Sequence, residues 1–301
     1  MGFDLYFAGS RNKEIDDWLA ANNCNRLFSQ FNDRKAIAEW QALNGSGQLF
    51  IDSGAYTAYT KGATIDIDSY IEFINANADC ADIFVELDVI ISKSDVNMPV
   101  DELDSISQKT WDNYLYMRER VVCPDKLIPV FHWGDNIKWL SNMLETTFDG
   151  KHIPYIGLAP PFSSEVDCCK FLDTCFDVIK KSSNSSVKTH AFGVTRLSVL
   201  ERYPLTSSDS TTWLMAGAMG NVLTPWGQMD CSDRKIEKTN IQFLHEPLKT
   251  TVLNYFKEHG FELEEVISSY TARMVLNCIY LKTWADNYVY KPNKFKLNKL
   301  I

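Results

Sequence analysis

The sequence predicts an α/β fold: a (β/α)8 TIM-like barrel with a helical extension at its C-terminal end. Three observations predict it. Eight short β-rich runs alternate with helical stretches over roughly the first 210 residues. Several runs are near-continuous apolar segments, Ile83-Phe84-Val85 and Ile128-Pro129-Val130-Phe131 among them, as befits strands buried on both faces of a parallel sheet covered by helices. A barrel of this kind takes about 250 residues, most of a 301-residue chain. An open doubly wound sheet is the alternative. The first strand runs into Ala8-Gly9-Ser10-Arg11, not the glycine-rich phosphate turn that such a sheet would favour.

Taken in order, the predicted strands are 4–9, 26–31, 48–52, 83–88, 127–132, 153–158, 188–193 and 206–209. Asp33 is suited to cap a helix over 34–43, and Asp66 or Asp68 one over 70–78, because a short acidic side chain can accept from the free N–H groups of a first turn. Further helices are expected over 103–121, 136–146, 165–180 and 197–203. Beyond Trp213 the alternation stops. Met215-Ala216-Gly217-Ala218-Met219-Gly220 and Pro225-Trp226-Gly227 lead into two closing helices, 241–258 and 263–277. In the second, Leu263, Val266, Ile267, Tyr270 and Met274 form one apolar stripe, read as core packing. No linker or repeat divides the chain, so residues 1–301 read as one domain: barrel to about 213, extension from about 214.

Composition narrows the function. The chain is 45% apolar and 23% charged, a globular profile. No apolar run reaches the roughly 18 residues that span a bilayer. The start, Met1-Gly2-Phe3-Asp4-Leu5-Tyr6, lacks the basic and apolar regions of a secretory signal and puts Tyr6 where a myristoylation signal wants Ser or Thr. Membrane and export readings are set aside, and a cytoplasmic location is expected, the host's if the chain is phage-encoded. Thirty basic against 39 acidic residues give a net charge of −9. That weighs against binding nucleic acid mainly by phosphate attraction, without excluding a local basic patch. Lys291, Lys294, Lys296 and Lys299 fall in the last eleven residues with no acid among them; the run reads either as a solvated tail or as a phosphate-touching patch. The eight cysteines form no C-x-x-C pair or other zinc spacing and read as reduced core thiols.

The active site of such a barrel lies at the C-terminal ends of its strands. Those ends carry Asp52-Ser53-Gly54-Ala55-Tyr56, Glu86-Leu87-Asp88, His132-Trp133-Gly134, Gly157-Leu158-Ala159, His190-Ala191-Phe192-Gly193 and Ser207-Ser208-Asp209-Ser210. Singly, each has a plainer reading: Asp52 and Asp209 as turn or cap residues, His132 and His190 as hydrogen-bonded structural histidines. Converging on one mouth, Asp52, Asp88 and Asp209 read as functional. Two carboxylates across a pocket suit chemistry at a sugar's anomeric carbon, one as nucleophile and the other moving protons. Gly157 and Gly193 would let a planar ligand approach the backbone. Tyr56, Trp133, Phe162, Trp213 and Trp226 could stack on a base, although each taken alone reads as core packing.

In their order these segments resemble the tRNA-guanine transglycosylase superfamily, and most closely its compact phage-type DNA 7-deazaguanine transglycosylases. Asp52-Ser53-Gly54-Ala55 resembles the family's Asp-Ser-Gly-Gly segment, with Ala55 for the last glycine. Asp88 in Val85-Glu86-Leu87-Asp88 resembles its base-reading Asp, followed here by Val89-Ile90-Ile91 in place of Glu-Cys-Thr-Pro. Gly157-Leu158-Ala159 resembles its Gly-Leu turn on the floor of the base pocket, and Gly193-Val194 its later Gly-Val segment. The likeness covers residues 48–213.

The resemblance implies guanine replacement in DNA by a 7-deazaguanine through a covalent aspartyl-nucleotide. Asp209 would be the nucleophile, Asp52 the proton carrier and Asp88 the acceptor of the base's N–H groups. Ser53, Gly54, Tyr56, His132, Gly157, Leu158, His190 and Gly193 would line the substrate site. The family's zinc run, Cys-x-Cys-x-x-Cys with a later His, is absent; Cys231 and His245 are its only remnants, so no metal cofactor is expected. DNA and a free 7-deazaguanine base are the expected partners, with a homodimer or a helper protein open. The alternatives are the same exchange on tRNA, a catalytically silent transglycosylase-like subunit, and a nucleoside or glycoside hydrolase.

Overall fold

The computed structural model describes the whole chain except residues 1, 10–11, 44, 46, 91–99, 162–163, 234–239 and 293–301. In chain order the elements of the main body are β1 (Asp4–Ala8), α1 (Lys13–Ala21), β2 (Asn25–Ser29), α2 (Gln30–Ala42), β3 (Leu49–Asp52), α3 (Ala55–Thr60), α4 (Ile67–Ala76), β4 (Ile83–Val85), α5 (Val100–Arg118), β5 (Leu127–Ile128), β6 (Val130–His132) and α6 (Ile137–Glu145). A small hairpin of β7 (Thr147–Phe148) and β8 (Lys151–His152) precedes β9 (Tyr155–Ala159), α7 (Glu165–Lys181), β10 (Lys188–Ala191), α8 (Leu197–Leu200) and β11 (Ser207–Ser210).

Nine of these strands form one all-parallel sheet in the order β5-β4-β3-β2-β1-β11-β10-β9-β6. Its two edges, β5 and β6, are consecutive in the chain and divided only by Pro129, so the sheet curls into a nearly closed barrel. Proline has no N–H to give a ladder. The neighbouring groups are satisfied around it: the Pro129 carbonyl accepts from Gly157 N–H at 2.8 Å, the Ile128 carbonyl from Glu86 N–H at 3.1 Å, and the Glu86 side chain accepts from Val130 N–H at 2.6 Å.

Side chains two apart along a strand share a face. Tyr6, Phe50, Ile83, Val85, Ile128, Val130 and Tyr155 form the inner cluster. Leu5, Phe7, Ile51, Phe84, Phe131, Ile156 and Leu158 point outward into a larger core under the helices. Apolar material on both faces is what the continuous apolar runs required.

The extension comprises α9 (Thr212–Ala218), the hairpin of β12 (Asn221–Thr224) and β13 (Gly227–Asp230), α10 (Leu248–Glu258), α11 (Leu263–Ser268) and α12 (Tyr270–Asp286). It has its own apolar cluster, including Val222, Met229, Val252, Phe256 and Leu276. Asn277 of α12, fully buried, ties the extension together: its amide donates to the Trp213 carbonyl at 3.0 Å and its oxygen accepts from Leu223 N–H at 2.6 Å. The Trp213 indole N–H in turn reaches the barrel at the Ala8 carbonyl of β1, at 3.2 Å.

Three local expectations are corrected, and the Asp66 cap holds with an earlier helix start. Asp33 does not cap a helix over 34–43: α2 begins at Gln30, and Asp33 sits at a kink inside it with its carboxylate turned back to Ser29 N–H at 3.1 Å. Asp66 does cap, accepting from Ser69 N–H at 2.8 Å, for a helix starting at Ile67. No single helix spans 241–258, since Pro247 interrupts it; a short 3-10 turn, Ile241–Phe243, precedes α10. The stripe from Leu263 to Met274 is broken at Ser269, which is extended and caps α12 by accepting from Ala272 N–H at 3.1 Å. Val266 and Met274 are buried, whereas Tyr270 is 53% exposed.

Of the basic tail, Lys291 pairs with Glu201 at 2.9 Å, and the other three lysines lie outside the described residues. Among the described residues no helix is long and apolar enough to cross a membrane.

A Cβ added at Gly217 of α9 would stand 2.5 Å from Met274 Cγ and 3.0 Å from its backbone nitrogen. Gly217→Ala therefore should overpack the α9–α12 crossing and destabilise the fold by about 1–3 kcal/mol, read as a lower urea midpoint.

Candidate active site

Because Phe50 points inward, so does Asp52 two residues on; the same phase carries Ser207 to Asp209. These acids stand at the C-terminal ends of β3 and β11, with β2 and β1 between them in the sheet. Each is fixed by a glycine in left-handed backbone, a conformation that a side chain disfavours. Gly54 (φ +80°) donates its N–H to Asp52 Oδ2 at 3.0 Å, and a Cβ there would fall 2.3 Å from Ser29 Oγ. Gly193 (φ +64°) donates to Asp209 Oδ1 at 2.7 Å. His190 Nε2 lies 3.3 Å from the same oxygen.

Asp88, in the loop after β4, is held between two partners. Ser53 Oγ donates to Oδ1 at 3.2 Å, and His132 Nε2 meets Oδ2 at 3.0 Å. Asp135 stands on the far side of His132: its Oδ2 accepts the His132 backbone N–H at 3.0 Å and lies 3.7 Å from the ring Nδ1, and its Oδ1 accepts from Ser107 at 2.7 Å.

Carboxylates crowded into a poorly solvated space resist ionisation. Burial, then the negative charge of Asp88, and then that of Asp209 push Asp52 up to about 7, against the pull of the Gly54 and Ser53 N–H groups. Asp52 therefore senses both other acids and titrates near neutrality, where a proton carrier works best. Burial alone would depress the His132 imidazolium; hydrogen bonds and charge from Asp135 and Asp88 outweigh it and hold that group up to about 10. Burial likewise works against Asp135 as a carboxylate, but its bonds to His132 and Ser107 prevail and keep it below the usual range. Asp88 thus enters the mouth as one arm of an ion pair. Glu86 is fully buried, which raises it far above a carboxylate's ordinary value despite its bond from Val130.

The structure brings together Asp52, Ser53, Gly54, Asp88, His132, His190, Gly193 and Asp209. Leu158 is not among them: it is fully buried on the outer face of β9, under the helices. Gly157 is in register with His190, but the close approach it permits is to Phe192, whose ring lies 2.5 Å from the position of an added Cβ. Tyr56 and Trp133 are 58% and 54% exposed. Trp213 is no stacking surface, being fully buried with its indole N–H donated to the Ala8 and Ser210 carbonyls. Trp226 lies in the β12–β13 turn, edge-on to Tyr255. Phe162 lies outside the described residues. Cys231 is buried in the extension and His245 is exposed.

Asp135, Ser107 and Tyr155 join the site from outside the strand-end segments, and Ser207 acts in it beside Asp209. An acid three residues after His132, across a glycine turn, was a readable signal for Asp135. Ser207, two before Asp209, shares its face. Ser107 and Tyr155 come from distant elements and leave no local trace. No protein-family model and no curated protein sequence matches this chain.

Asp52 makes stability pH-dependent. Its folded value, about 7, exceeds the unfolded value near 4, so its favourable contribution is complete below pH 4 and is lost as pH rises through 7. Relative to wild type, Asp52→Asn should gain roughly 1–3 kcal/mol at pH 8 and nothing at pH 4 in paired urea titrations.

Proposed function

We propose that the protein is a base-exchange transglycosylase that replaces guanine in DNA with a 7-deazaguanine. We read β5 and β6 as one strand interrupted at Pro129, which makes the barrel eight-stranded, a (β/α)8 fold with its catalytic mouth at the strand ends. The observation carrying the reading is that Asp52, raised to about 7, shares its charged surroundings with Asp209. One acid able to give and take a proton at neutral pH, facing another pinned by backbone, is the pair that the reaction needs.

In the first step Asp209 attacks C1′ through Oδ2, the oxygen that accepts no hydrogen bond among the described residues. The C1′–N9 bond breaks, and guanine leaves with its electron pair and takes a proton from Asp52. In the second, the corresponding ring nitrogen of the incoming base gives its proton to Asp52 and attacks C1′, which releases the Asp209 carboxylate. Asp88, already bound by Ser53 and His132, accepts from the base's N–H groups. Tyr56 and Trp133 offer exposed rings to stack on a nucleotide flipped out of the duplex, a movement costing a few kcal/mol.

The test offers DNA and tRNA in parallel with labelled guanine or 7-deazaguanine. Label should enter DNA, and a denaturant-resistant protein–DNA adduct should form, absent with Asp209→Ala. Asp52→Asn should slow exchange by about 10²- to 10⁴-fold. Label in tRNA alone would reassign the substrate; no label and no adduct with either polymer would refute the reaction.

A further inference from the structure

Behind Asp209 a line of side chains runs down the barrel axis that neither a base nor a sugar would touch. His190 is fully buried, its ring centroid 4.5 Å from those of Phe50 and Phe192. Among the described residues its ring makes two polar contacts: Nε2 at 3.3 Å from Asp209 Oδ1, and Nδ1 at 2.5 Å from Ser207 Oγ. Ser207, also fully buried, is in turn hydrogen-bonded to the Tyr155 hydroxyl, which comes from β9 on the opposite side of β10.

With a neutral imidazole, the inventory of donors permits one consistent direction. A carboxylate oxygen only accepts, so Nε2 carries the hydrogen toward Asp209. Nδ1 then accepts, and Ser207 must donate to it. With its one hydrogen so used, Ser207 Oγ accepts from Tyr155. We infer that Tyr155, Ser207 and His190 form a one-way donor chain that fixes His190 as its Nε2–H tautomer and positions the Asp209 carboxylate. The inference deepens the proposed reaction and rests on it for its kinetic consequence, but not for its tautomer.

The arrangement differs from that at His132, which stands between two carboxylates. His190 has one carboxylate, and its other nitrogen meets a hydroxyl. Its N–H and that of Gly193 both engage Oδ1, so the carboxylate plane is fixed from behind and Oδ2 is left for substrate. His190 is thus a positioning residue, in the way that a second partner orients a catalytic group by satisfying the far side of its neighbour. Ser207 and Tyr155 act one and two bonds further back.

Full-length protein carrying ¹⁵N-histidine decides the tautomer without any reaction. Two-bond ¹H–¹⁵N correlations, with the His190 signals assigned by their loss in His190→Gln, should show Nε2 protonated and Nδ1 bare. In Ser207→Ala the second tautomer should appear. A wild-type Nδ1–H or doubly protonated form, or spectra indifferent to Ser207→Ala, would overturn the donor chain.

For the adduct reaction, Ser207→Ala should lower the rate constant about tenfold and Tyr155→Phe about threefold, with KM for DNA unchanged. His190→Gln, which can still donate toward Asp209, should retain most of the activity that His190→Leu loses. Equal losses in Gln and Leu, or a change in KM alone, would refute the positioning role. If wild-type protein forms no adduct on any polymer, the base-exchange reading falls while the nitrogen spectra still decide the tautomer.

Discussion

Curling a parallel sheet on itself forces alternate side chains of every strand into one narrow interior, and the rest of this molecule follows from that constraint. The curl meets at Pro129, where one residue separates the two sheet edges and a backbone donor is missing. Glu86 bridges the seam by accepting from Val130. Its burial keeps the carboxyl far above its ordinary value, so the seam is joined by a group disposed to stay neutral, which low-dielectric surroundings tolerate better than a charge.

The same constraint sets the electrostatics of the mouth. Inward phase delivers Asp52 and Asp209 to one end of the barrel, and the loop after β4 adds Asp88. Their environments then diverge. Asp88 is neutralised by His132, itself steadied by Asp135. Asp209 is fixed by Gly193 and His190. Asp52 has two backbone N–H groups and, among the described residues, no cation, and is pushed up to about 7. Three residues of one type thereby acquire three characters, by partner and not by sequence.

Much of this was legible beforehand. Most strand positions were readable because doubly buried strands need unbroken apolar runs, and Asp52 and Asp88 stood out against that background; the strand of Asp209 is polar and was placed by the alternation alone. Asp66 was a readable cap, whereas Asp33 was not, because a kink in α2 turned it toward Ser29. Leu158 looked like pocket floor by analogy of its turn, yet the two-residue alternation sends it outward once Gly157 faces in. The stripe across Ser269 was periodic on paper only.

What the sequence by itself determined was periodicity and inventory: which segments alternate, where helices can begin, that Asp52 and Asp88 follow apolar runs, and that Asp209 sits in a serine-rich one. Those properties are local, fixed by side-chain spacing within a few residues. What only the tertiary structure decided was partnership. His132 with Asp88, Ser107 with Asp135, and Tyr155 with Ser207 join elements far apart in the chain, and no local pattern records them. Hydrogen bonds act over about 3 Å, so such pairs exist only after the strands have closed around a common axis.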